Sequence, residues 1–129
     1  MQLETAELIV SGGRGFGSAE AYQETVDVCA ELLGAAAGAS KAACDAEYAP
    51  RGNQVGLTGK RVSPNLYIAI CISGASQHLA GMGTSKHIVA VNKDPEANIF
   101  KVSRWGIVAD YKQVMPAFMD RLKELLEKK

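Results

Sequence analysis

The densest chemical signal in the chain is Gly12-Gly13-Arg14-Gly15-Phe16-Gly17-Ser18, where glycines surround a single guanidinium. Glycines let backbone N–H groups come close to an anion, and a helix starting after them adds its positive end. The run departs from the G-x-G-x-x-G spacing of dinucleotide loops, and Gly59-Lys60 lacks the earlier glycine of a nucleotide-hydrolase phosphate loop. A plain glycine-rich turn explains this motif alone equally well. The same logic of strand, small-residue loop and helix recurs at Ser73-Gly74-Ala75-Ser76-Gln77-His78. There, backbone amides suit a pyrophosphate, while Gln77 and His78 suit a ring carbonyl or a polyol hydroxyl. A histidine in an apolar helix is more often structural, and His87 has only that reading. In a third run, Gln54-Val55-Gly56-Leu57-Thr58-Gly59-Lys60, the Thr58 hydroxyl and nearby amides could meet the polar edge of a planar heterocycle. The plain alternative is a surface hairpin.

Hydrolytic and acyl-transfer chemistry find no support, because the loops show neither paired carboxylates nor a cysteine–histidine pair. Cys29, Cys44 and Cys71 are odd in number, lack C-x-x-C spacing and sit among small or apolar neighbours. They read as reduced, buried thiols of an intracellular protein.

Alternating strands and helices are needed to bring these loops together. Leu8-Ile9-Val10 is a short apolar run closed by glycines, as a buried parallel strand would be. Ser18 reads as the N-cap of a helix to Leu33 that Gly34 ends. Ala35–Ala39 reads as a short second strand, and Ser40 as the cap of a helix over Lys41–Ala46. Tyr67–Ile72 should be the central strand, followed by a brief helix over Ala75–Ala80, a strand over His87–Val91 and another over Gly106–Ala109. In the closing segment Val114, Phe118, Leu122 and Leu125 fall on one face, which predicts a helix packed by that stripe. The expected architecture is a three-layer α/β/α, Rossmann-like nucleotide-binding domain with a mostly parallel sheet. In such a sheet ligands bind beyond the carboxyl ends of the strands, which is where these loops lie.

With 129 residues and no internal linker, one domain over residues 1–129 is expected. Fourteen basic and fourteen acidic side chains cancel, which gives no general attraction to nucleic acid or anionic lipid. No apolar run reaches the roughly 20 residues of a membrane span, so a soluble chain is expected. Met1–Glu7 lacks the character of a signal or transit peptide, and a strand starts almost at once, as though at a domain boundary.

Taken in order, Ser11–Gly15, Gly38-Ala39-Ser40, Gln54-Val55-Gly56, Thr58-Gly59-Lys60, Pro64–Ala69, Ile72–Ala75, Gln77-His78-Leu79-Ala80-Gly81-Met82 and Asn92-Lys93-Asp94-Pro95-Glu96-Ala97 resemble the FAD domain of electron transfer flavoprotein alpha subunits. The similarity runs from about Leu8 to the last helix. It implies FAD as cofactor, with Arg14, Ser40 and Lys41 near it and Val55, Gly56, Leu57 and Thr58 lining the flavin, Thr58 facing ring N5. It further implies phosphate, polyol and ring-carbonyl contacts from Ser73, Gly74, Ala75, Ser76, Gln77 and His78, with Asn92 and Asp110 at the adenosine end. His78 would be the donor to a pyrimidine carbonyl, stabilising negative charge on the reduced ring. Two positions depart from the family pattern: Lys41 replaces an arginine, losing its planar fork, and Leu57 replaces a glutamine.

The resemblance implies an electron carrier with no substrate of its own. Electrons would come from acyl-CoA-type dehydrogenases in fatty acid beta-oxidation and pass to a membrane quinone oxidoreductase. The implied partners are a beta subunit and an N-terminal alpha-subunit domain, neither present in this sequence. The implied compartment is the mitochondrial matrix or a bacterial cytoplasm. Two alternatives remain at this point: a nicotinamide- or thiamine-type enzyme domain of the same fold, and an assembly module that has lost tight cofactor binding. Flavin absorbance or quenching of Trp105 would separate the carrier from the module, and nicotinamide turnover would favour the enzyme.

Overall fold

Ile9 and Val10 face opposite sides of one strand, and that alternation sets the layering of the whole molecule. The computed structural model describes residues 2–127. Its strands are β1 (Leu8–Gly12), β2 (Ala36–Ala39), β3 (Leu66–Ile70), β4 (His87–Asn92) and β5 (Trp105–Val108). They form one sheet in the order β2-β1-β3-β4-β5, and every neighbouring pair is parallel. On one face Val10, Ile68, Ile70 and Val91 pack against Tyr22, Val26 and Cys29 of the first helical segment and Met115 of the last. On the other, Ile9, Tyr67, Ala69 and Ile88 meet Val55, Met82 and Ile99. Strands buried on both faces must be apolar throughout, which explains the continuous run at Leu66–Ile70.

The helices are α1 (Ala19–Tyr22), which continues through a π-helical turn at Gln23–Asp27 into α2 (Val28–Leu33), then α3 (Lys41–Asp45), α4 (Ser76–Met82), α5 (Ile99–Val102) and α6 (Tyr111–Glu127). Ser18 caps the first, its Oγ accepting from Ala21 N at 3.1 Å, and Gly34 ends the second at φ 67°. Ser40 caps α3, accepting from Ala43 N at 3.2 Å. The alanine-rich β2 suits its place, because Tyr22 donates to Gly38 O at 2.7 Å across it and Gly38 lies against Ser11 and Val55.

Several expectations shift. The central strand stops at Ile70 rather than Ile72, because Cys71 takes φ 61° and turns the chain out of the sheet. The stripe of α6 packs only at its start: Val114, Met115 and Phe118 join the core, whereas Leu125 is 45% exposed because the helix outruns the sheet. The side chain of Leu122 lies outside those described. Cys29 and Cys44 are buried as expected, but Cys71 is half-exposed. Trp105 begins β5 at the end of the strand away from its carboxyl tip and is 52% exposed, so it is poorly placed to report on a ligand there. No described helix is long and apolar enough to cross a membrane.

Candidate functional site

The strand order reverses direction between β1 and β3, so the turns leaving these two neighbours diverge and open a crevice at their carboxyl ends. Gly13 N donates to Ile70 O at 3.0 Å, locking the two tips side by side. A Cβ on Gly13 would collide with the Cys71 carbonyl, so only glycine permits this approach. The cleft has a volume of about 570 Å³, within the range of cofactor sites. Every site residue expected from the sequence lines it except Ser76, which is exposed on the first turn of α4.

Arg14 stands on the turn after β1, and Ser40 and Lys41 at the tip of β2. Lys41 Nζ is 2.8 Å from Asp45 Oδ2, and Arg51 holds the other oxygen of that carboxylate at 2.8 Å. The lysine therefore reaches the cleft as one member of an exposed charge cluster, and the two cations hold the Asp45 carboxyl below the usual range.

Val55, Gly56, Leu57 and Thr58 form one wall and are pinned to α4. Leu57 N donates to Gln77 O at 2.8 Å, and a Cβ on Gly81 would strike the backbone of Gly56. Leu57 itself is 48% exposed at the rim. Thr58 Oγ1 accepts from Gln54 Nε2 at 3.2 Å, and Gln54 Oε1 in turn accepts from Arg51 at 2.8 Å. Because a hydroxyl carries its own proton, Thr58 so held keeps a donor for a ligand.

Against this wall stand Gln77 and His78 of α4, preceded by Ser73, Gly74 and Ala75. Gly74 has φ 89° and abuts the backbone of Ile99, so no side chain fits there. His78 is buried, with Nε2 2.9 Å from the Tyr67 hydroxyl and Nδ1 without a hydrogen-bond partner. Burial pushes its pKa down to about 4, against a smaller opposing effect of the Val55 backbone. The imidazole is neutral at pH 7, hence a donor without charge. At the far end, the Asn92 amide spans Ile72 O (3.0 Å) and Asp94 N (2.9 Å), and Asp110 Oδ1 caps α6 through Lys112 N at 3.0 Å.

Sequence reasoning missed Gln54 as the support of Thr58, along with Cys71, Asp45 and Tyr111 on the lining. A glutamine four residues before a loop threonine carried a local signal, whereas Tyr111 reaches the cleft only through tertiary packing. Among the described residues no cluster of metal-ligating side chains exists. The site offers glycine-lined turns, mixed charge and one orphaned buried nitrogen, which fits an organic anion bearing a polar ring.

Comparison with known proteins gives the same direction. The profile of the electron transfer flavoprotein FAD-binding domain matches residues 2–83. The chain is 54% identical to the electron transfer flavoprotein subunit alpha of Bacillus subtilis (strain 168) over 125 residues, covering 97% of this chain and 38% of that protein. It is 55% identical to the protein of the same name from Mycobacterium leprae (strain TN), with 94% and 38% covered. It is 53% identical to that of Paracoccus denitrificans, with 94% and 39% covered. The chain thus spans about two fifths of the length of these relatives.

Proposed function

The chain belongs to the electron transfer flavoprotein FAD-binding domain family, and from that premise we propose that the cleft between the β1 and β3 tips holds FAD for electron transfer between proteins. The flavin, when bound, supplies the redox chemistry by accepting and releasing electrons. The residues of the chain bind it, orient it and tune its surroundings. The turns at Arg14–Gly15 and Ser73–Ala75 present backbone amides to the diphosphate, with the Arg14 side chain adding charge. Thr58, oriented by Gln54, directs its hydroxyl proton at the edge of the ring, and neutral His78 offers its remaining nitrogen to a ring carbonyl. Asn92 and Asp110, fixed by their backbone bonds, border the adenosine end.

The observation that carries this reading is the convergence of Gly15, Gly74, Thr58 and His78 on one cleft, with a buried His78 nitrogen left without a partner. As an electron carrier the protein would transform no substrate of its own. Its partners would be a beta subunit, an alpha-subunit N-terminal region, acyl-CoA-type dehydrogenases and a quinone oxidoreductase, in a bacterial cytoplasm or mitochondrial matrix. Titration of the purified chain with FAD, read by flavin fluorescence, tests the reading. One-to-one binding that Thr58→Val weakens roughly tenfold supports it, and absence of saturable binding contradicts it.

A further inference from the structure

Tyr67 and His78 make the one buried hydrogen bond between two side chains among the described residues. Its direction decides what His78 can offer the cleft. Tyr67 has a single proton and keeps it, because burial in the sheet pushes its ionisation far up. If Tyr67 donates to Nε2, the ring proton sits on Nδ1. If Nε2 donates instead, Nδ1 becomes a bare acceptor and the phenol proton must go elsewhere.

The surroundings of the ring choose between these arrangements. The Val55 backbone faces it and favours the protonated form. Val55 N is already donated to Ala39 O at 2.9 Å, so the group facing the ring is the carbonyl. With Nε2 taken by Tyr67, the nitrogen left to that carbonyl is Nδ1; no hydrogen bond joins the two, so the carbonyl disfavours a lone pair there while an N–H stays free to donate elsewhere. Ser11, the other buried side chain with an unpartnered polar atom, makes no hydrogen bond to the phenol, and the one partner of the Tyr67 hydroxyl among the described residues is Nε2. A phenol proton turned away from Nε2 would have no acceptor, so Tyr67 donates to His78.

We propose that Tyr67 is a positioning residue: by donating to Nε2 it holds His78 as the neutral Nδ1–H tautomer, whose one free donor serves an acceptor on the flavin. The tautomer is a property of the chain itself, and only its use rests on the FAD reading of the cleft. The histidine tautomer follows whatever bond its other nitrogen makes, so the central strand sets the chemistry of a residue on α4. Tyr67 touches no ligand and acts through His78.

Nitrogen NMR on the chain labelled in its two histidine rings, with His87→Gln for assignment, reads the tautomer directly. Without flavin, His78 should show a protonated Nδ1 and an unprotonated Nε2, unchanged between pH 7.5 and 5.5. Tyr67→Phe, checked for folding by circular dichroism, should move the proton toward Nε2 and weaken FAD binding roughly three- to tenfold. A wild-type His78 protonated at Nε2 overturns the proposal, and that result stands even if the variant fails to fold. A shifted tautomer in Tyr67→Phe with unchanged FAD affinity overturns its use in the cleft. If the wild-type chain binds no FAD, the functional reading and this use fail together, while the tautomer is still decided in the flavin-free protein.

Discussion

Thr58 owes its orientation to a buried neighbour on the lining of the same cleft. Gln54 is 3% exposed and links Arg51 to Thr58, so Gln54→Leu should leave the loop threonine free to rotate. FAD affinity should then drop by a factor of about five, with Thr58 still present, as flavin fluorescence titration would read. His78 makes a pH prediction whose sign follows from burial. Its folded pKa, about 4, lies below the unfolded value of about 6.5, so the unfolded chain takes up a proton first as pH falls. Stability from this group is complete above about 6.5 and is lost down to about 4, by up to about 3 kcal/mol. Urea unfolding of wild type and His78→Gln at pH 7.5 and 4.5 should show the smaller decline in the variant. The thiols are similarly explicit: burial pushes Cys29 up to about 11 and Cys71 up to about 12, so alkylation at pH 7.5 should be slow until the chain unfolds. At this scale the sequence showed which positions gather at the strand tips, because small residues there have few other uses. It could not show that Asp45 pairs with Lys41 and Arg51, or that the His78 ring is occupied by Tyr67, since both depend on contacts across the fold.

Between elements, the wall formed by Val55–Thr58 stays in place only because α4 carries glycine at position 81. The Gly81 Cα lies against the Gly56 backbone, Val62 N donates to Gly81 O at 2.7 Å, and Leu57 N donates to Gln77 O. Gly81→Ala should push the loop off the helix, lowering stability by about 1–3 kcal/mol and weakening FAD binding as well. Gly17→Ala, where a Cβ meets nothing but φ is 84°, should cost about 1 kcal/mol and leave FAD affinity unchanged. Thermal melts with and without FAD separate the two effects. The order and type of the elements were legible from periodicity and caps, as Ser18, Gly34 and Ser40 illustrate. Their limits were not: apolar Cys71 and Ile72 read as strand, yet a left-handed Cys71 ends it. Leu125 follows the helical stripe, but the sheet is too narrow to cover it. The docking of the 54–60 loop on α4 was invisible, because backbone contact between glycines leaves no hydrophobic pattern.

The described residues form a two-faced parallel sheet whose direction change opens the cleft; strand and helix alternation predicted the parallel sheet covered on both faces, while the strand order comes from the structure. A ligand that binds only the folded chain must stabilise it, so saturating FAD at a hundred times its dissociation constant should add about 2.7 kcal/mol. Edge strand β5 is exposed along its length, with Trp105, Ile107 and Val108 in solvent, and its Trp105 end lies away from the two glycine turns at the opposite, carboxyl ends of the strands. It therefore supplies an internal control. Backbone amide NMR during FAD titration tests the account most directly, since each loop is observed separately. The predicted result is saturable shifts at Gly13, Gly15, Gly56, Thr58, Gly74 and Gln77, with His87 and Trp105 unmoved. Shifts confined to β5, or no saturable change at the two glycine turns, would contradict it.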